Sequence, residues 1–69
     1  MIKVQTANEC CTITLSRPDK ANALTEEMLE SLASAATDAA TSGARVLILT
    51  GAGKVFSAGA DLDGMKAGL

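Results

Sequence analysis

The stretch from Lys54 to Met65 reads KVFSAGADLDGM, with small side chains at Ser57, Ala58, Gly59 and Ala60 and then carboxylates at Asp61 and Asp63. None of the small side chains does acid–base chemistry, so any working role here falls to the backbone. Glycine and alanine let a ligand approach the main chain closely. N–H groups left free where a loop enters a helix can hold a developing negative oxygen. The plain structural reading is a tight strand-to-helix connection capped by Asp61. Three familiar motifs come close and fail. GAGK at Gly51 to Lys54 has Ile48 and Val55 where a phosphate loop needs a glycine and a Ser or Thr. Phe56 stands where a dinucleotide fingerprint needs its third glycine. VFSAG is half a nucleophile elbow, but Val55 replaces its first glycine and the chain has no histidine to activate Ser57. Ser57 therefore reads as a small loop residue bonding to nearby backbone.

Elsewhere the reactive side chains are few. Cys10 and Cys11 are adjacent, and neighbours in a strand point to opposite faces, so they do not bridge each other. One thiol belongs in a core and the other nearer solvent, which fits a reducing compartment. With no histidine and two cysteines, a four-ligand zinc site is excluded. The 69 residues are 48% hydrophobic and 20% charged, with net charge −2. That balance offers no basic footprint for nucleic acid and no polybasic patch for membranes. No apolar run approaches the length of a transmembrane helix, and MIKVQT is not a signal peptide. The expected location is cytoplasmic.

The elements that must carry the loop are legible in the pattern. Ile2 and Val4 alternate with Lys3 and Gln5. Cys11, Ile13 and Leu15 alternate with Cys10, Thr12 and Thr14 across a joint at Asn8-Glu9, which predicts a β-hairpin. Pro18 opens a loop, RPDKANAL. Thr25 is a good N-cap, followed by Glu26 and Glu27 where the helix dipole favours negative charge. Leu24 and Leu29 take the positions of a hydrophobic staple. Met28/Leu29, Leu32, Ala35/Ala36 and Ala39 form one apolar stripe, and its alanine end requires a close-packed neighbour. Gly43 is the expected stop. Val46 to Leu49 are apolar without alternation, as in a strand of a parallel sheet covered on both faces. Strand, helix and strand within about 40 residues make a crossover unit. A chain this short buries only about 60% of its unfolded surface, and Phe56 is its single aromatic. The expectation is the N-terminal portion of one larger domain.

ITLSRPDKANALTEEMLESL followed by RVLILTGAGKVFSAGADLDGM resembles the enoyl-CoA hydratase/isomerase, or crotonase, family over almost the whole chain. Two motifs match in order and spacing: RPDKANAL after one strand and LTGAGKVFSAGADL after the next. The resemblance implies an α/β fold, the N-terminal part of a crotonase-like ββα spiral, with residues 1–69 an incomplete portion of a single domain. It implies an acyl-CoA thioester as substrate, no separate cofactor, a homotrimer or hexamer, and a place in fatty acid metabolism. In that family the thioester oxygen becomes enolate-like and two backbone N–H groups stabilise it; the residue matching the first donor is Ala60. Losing one such donor typically costs roughly 3–4 kcal/mol of transition-state stabilisation. Lys20, Ala21 and Ala23 match the loop near the CoA nucleotide and pantetheine. Ala58 matches a position whose carbonyl meets the adenine, and Asp61 and Leu62 line the same pocket. Lys20 is the expected phosphate contact, ahead of Arg17 and Lys54. Asn22 is expected to fix the loop through backbone hydrogen bonds, and Asp61 to cap a following helix.

By the same resemblance, the second donor and the acid–base carboxylates lie beyond Leu69. Asp19, Asp61 and Asp63 qualify for proton transfer by residue type only. The commonest reaction of the family is hydration of a 2-enoyl-CoA, which is the expected activity of the complete chain; the segment alone is expected to be inactive. The alternatives are another crotonase reaction such as isomerisation, or a non-catalytic CoA-thioester-binding relative.

Overall fold

The computed structural model describes residues 1–61. In chain order these are β1 (Ile2–Ala7), β2 (Cys10–Leu15), a 3₁₀ turn (Pro18–Lys20), α1 (Glu26–Thr41) and β3 (Val46–Gly51). The sheet order is β1-β2-β3. β1 pairs antiparallel with β2, from Ile2 opposite Leu15 to Ala7 opposite Cys10. β2 pairs parallel with β3, from Cys10 beside Val46 to Leu15 beside Gly51. Hairpin, helix crossover and parallel strand are thus as the pattern predicted.

The hairpin turn is tighter than its residues suggest. Asn8 and Glu9 both have positive φ, 52° and 66°, the backbone of a type I′ two-residue loop. Asparagine tolerates that region; glutamate is an unusual occupant. Glu9 is held by its carbonyl, which accepts from Arg45 N–H at 2.7 Å and Val46 N–H at 3.3 Å. The turn therefore also anchors the start of β3.

Thr25 caps α1 as expected: its Oγ1 accepts from Met28 N–H at 3.1 Å. The stripe faces the sheet, where Ala39 packs with Cys11 and Ile13, and Ile2, Leu32, Ala35 and Ala44 close the cluster. Alanine at position 39 is what lets the helix end lie close to the strands. Cys11 is the core thiol and Cys10 the partly exposed one, and both are free. Leu29 departs from the stripe and stays exposed, so the staple position contributes little burial. Beyond Ser42, Gly43 has φ +87°. Its N–H donates to Ala40 C=O at 3.3 Å and Ala44 N–H donates to Ala39 C=O at 3.0 Å, the paired bonds of a Schellman stop.

One expectation is not met among the described residues. Val46, Leu47, Ile48 and Leu49 are 43–54% exposed, although the run is apolar on both faces. β3 is an edge of the sheet here, and β2 is the strand that is covered. The unbroken hydrophobic run of β3 correctly indicated parallel pairing; the cover that β3 was read to have is absent among these residues.

Candidate functional site

Chain connectivity brings the RPDKANAL loop, leaving β2, beside the GAGKVFSAGAD loop, leaving β3. They start as neighbours because β2 and β3 pair, and Ala52 N–H extends that pairing to Leu15 C=O at 2.8 Å. Two glycines permit the contact. A Cβ on Gly53 would stand 3.2 Å from Pro18 Cβ. One on Gly51 would meet Phe56 Cα at 2.8 Å and Asn22 Nδ2 at 2.9 Å, and would collide with the Phe56 carbonyl.

Asn22 fastens the two loops. It is fully buried. Its Nδ2 donates to Ala52 C=O and Val55 C=O, each at 2.8 Å, and its Oδ1 accepts from Arg17 N–H at 2.8 Å. Both amide donors and the amide oxygen are therefore engaged, which makes burial of this polar side chain tolerable. The backbone bends to allow it: Ala21 and Asn22 have φ of 51° and 55°, a region that costs an ordinary L-residue roughly 1–2 kcal/mol. Ser57 adds a second tie, donating from Oγ to Asn22 C=O at 2.9 Å and accepting from Gly59 N–H at 3.1 Å. The loop roles expected for Asn22 and Ser57 are both present.

Beyond these fastenings the two loops run alongside each other like a short pair of strands. Ala58 N–H donates to Ala21 C=O at 2.9 Å, Leu24 N–H to Gly59 C=O at 2.8 Å, and Asp61 N–H to Leu24 C=O at 2.8 Å. Leu24 and Ala60 thus form an isolated parallel bridge. Its bonds come from the residues on either side of Ala60. Ala60's own N–H and C=O are consequently directed to the opposite side of the segment. Ala60 is exposed, and among the described residues its N–H has no hydrogen-bond acceptor. The result is a main-chain donor presented outward by a backbone that is bonded immediately before and after it.

The sequence-predicted residues fall around this donor. Ala21, Ala23, Ala58, Ala60 and Asp61 are gathered by the bonds between the two loops. Lys20 is exposed at the end of the 3₁₀ turn, and Lys54 is exposed on the facing loop. Leu62 and Asp63 lie outside the described residues, as does the helix that Asp61 was expected to cap. Arg17 is the departure. Its Nη1 sits 2.7 Å from Asp61 Oδ2 and 3.0 Å from Ala23 C=O, with both charged side chains 19% exposed. A guanidinium so engaged is an internal tie between loops, contrary to its place among the candidate phosphate contacts. Sequence reading missed this pair because 44 residues separate its members. A lone arginine before a proline and a lone aspartate after an alanine carry no local sign of each other.

Comparison with known proteins matches this arrangement to one group. The family model described as Enoyl-CoA hydratase/isomerase matches residues 5–69. The chain is 44% identical over 64 residues to the Mycobacterium bovis protein named "Probable enoyl-CoA hydratase echA6", covering 93% of this chain and 26% of that protein. Among solved structures, it is similar to the enoyl-CoA hydratase from Mycobacterium tuberculosis H37Rv, with TM-score 0.85 and 38% identity, covering 93% of this chain and 29% of that one. The enoyl-CoA hydratase from Thermoplasma volcanium GSS1 gives TM-score 0.82 and 39% identity, covering 96% and 27%. The chain thus spans about a quarter of the length of the curated relatives it matches.

Proposed function

The chain belongs to the enoyl-CoA hydratase/isomerase family, and from that premise we propose that it is the N-terminal segment of an acyl-CoA-processing enzyme that adds water to a 2-enoyl-CoA. The observation that carries this reading is the outward N–H of Ala60, which has no acceptor among the described residues, in a chain whose relatives are named as enoyl-CoA hydratases. When water adds to the β-carbon of the enoyl thioester, electron density moves onto the thioester oxygen. A fixed N–H donor aimed at that oxygen is worth more in the transition state than in the ground state. Alanine suits the position because a larger side chain would crowd the thioester.

Lys20, Ala21, Ala23 and Ala58 then form the nucleotide and pantetheine side of the site, with Leu62 continuing it. Lys20 meets phosphate as a flexible point charge. Asp61 contributes wall, since its carboxylate is engaged by Arg17. Proton transfer belongs to groups outside this segment: Asp19 is exposed and Asp61 is ion-paired. The same reading carries a cytoplasmic enzyme of fatty acid metabolism, assembled as a trimer or hexamer, with coenzyme A entering only as part of the substrate. Among the described residues no helix is long and apolar enough to cross a membrane.

The test uses the full-length protein with short-, medium- and long-chain acyl-CoAs in calorimetry, followed by conversion of a 2-enoyl-CoA to its 3-hydroxyacyl product. Binding with turnover is expected. Failure to bind any of the thioesters would sink the reading, and binding without turnover would point to a non-catalytic relative.

A further inference from the structure

We infer that Arg17 is a positioning residue for the Ala60 donor, acting through the carboxylate of Asp61. This rests on the reading of Ala60 as the oxyanion donor. The Ala60 peptide is tied on both sides, and the charged tie is on the Asp61 side. Before it stands Gly59 at φ +95°. A Cβ there would meet nothing within 4 Å, so glycine is required for its backbone angle and not for space. It is held by two neutral hydrogen bonds, its C=O accepting from Leu24 N–H at 2.8 Å and its N–H donating to Ser57 Oγ at 3.1 Å. After it stands Asp61, tied by its N–H to Leu24 and by its Oδ2 to Arg17.

Arg17 is suited to the anchoring end. Its own backbone is fixed by three bonds: its N–H donates to Asn22 Oδ1 at 2.8 Å, and its C=O accepts from Lys20 N–H at 3.1 Å and Asn22 N–H at 2.9 Å. The same Nη1 reaches Ala23 C=O on the near strand and Asp61 on the far one. That carbonyl immediately precedes Leu24, the residue bridged to Ala60. The guanidinium therefore clasps both strands of the bridge next to the donor. A charge-assisted bond at 2.7 Å with little solvent around it holds geometry far better than a surface ion pair.

The variants are Arg17→Met and Arg17→Lys in the full-length enzyme. A donor misplaced by a fraction of an ångström to an ångström lowers kcat by about 10- to 100-fold in Arg17→Met, while KM and the affinity for a saturated acyl-CoA stay within about threefold. Arg17→Lys keeps a charge on Asp61 but loses the planar fork, and kcat returns to within about fivefold of wild type. Amide hydrogen exchange at Asp61 reads the positioning without substrate, quickening by about tenfold or more in Arg17→Met. If Arg17→Met does not fold, Arg17→Lys carries the comparison through its smaller kcat loss and its exchange rate at Asp61. Unchanged exchange at Asp61 with wild-type kcat would overturn the inference, as would a raised KM at constant kcat, which marks direct substrate contact. An inactive wild-type protein would instead overturn the donor reading, and it shows before any variant is made.

Discussion

Replacing the amide at Ala60 with an ester, by placing lactate at that position in a semisynthetic full-length enzyme, is expected to lower kcat for enoyl-CoA hydration by about 10²- to 10³-fold. The change deletes one N–H and keeps the methyl side chain. It leaves in place the two hydrogen bonds that flank the residue, from Leu24 N–H to Gly59 C=O and from Asp61 N–H to Leu24 C=O. An ester carbonyl at Gly59 accepts somewhat less well, a loss that appears in the melting temperature. Binding of a saturated acyl-CoA should survive, because a donor used mainly in the transition state contributes little to ground-state affinity. Ala60→Gly is the companion variant: it retains the N–H and should stay within about tenfold of wild type, the loss coming from added backbone freedom. If the ester enzyme turns over at the wild-type rate, the developing charge is held elsewhere and the Ala60 assignment fails.

The second large effect is on stability. Asn22→Asp is expected to cost about 3–5 kcal/mol, measured as a shift of the urea midpoint in the full-length protein. The substitution is nearly isosteric, so packing changes little. Both donors to Ala52 C=O and Val55 C=O vanish, and a second carboxylate oxygen is placed against those two carbonyls in a fully buried position. Asn22→Ala removes the same bonds without burying a charge, and should cost less than Asn22→Asp. The reverse order, or a cost below about 1 kcal/mol for Asn22→Asp, would mean that water reaches the loop and satisfies those groups.

What could be read from the sequence was local. Thr25 with two glutamates behind it, Gly43 after the last alanine, and the alternation through Cys11, Ile13 and Leu15 each state their structure within a few residues. Asn22 could be identified as a loop fastener because asparagine after Pro-Asp-Lys-Ala has that chemistry, although its partners lie 30 and 33 residues away. The resemblance drew attention to Ala60; the geometry that turns its N–H outward depends on the Leu24 bridge, which no local pattern marks. Three features stayed hidden for physical reasons. Glu9 occupies a left-handed turn because its carbonyl is held by the start of β3, against its own preference. Arg17 and Asp61 meet only after the sheet has brought their loops together. β3 was read as covered because its side chains are apolar on both faces, and hydrophobicity reports what a strand prefers to contact without saying which residues supply the contact.

The left-handed pair at Ala21 and Asn22 has a kinetic consequence. Alanine disfavours that conformation and asparagine only tolerates it, and the bonds that compensate it reach Ala52 and Val55 across about half of the described chain. Closing so long a loop costs entropy before any of those bonds can form. The RPDKANAL loop therefore sets after the hairpin, the helix and β3 have assembled. Asn22 variants should speed unfolding while leaving refolding almost unchanged, with φ-values near zero; values near one would place this loop in the folding nucleus. The outward N–H of Ala60 is then among the last features of the native state to form, and among the first to be lost.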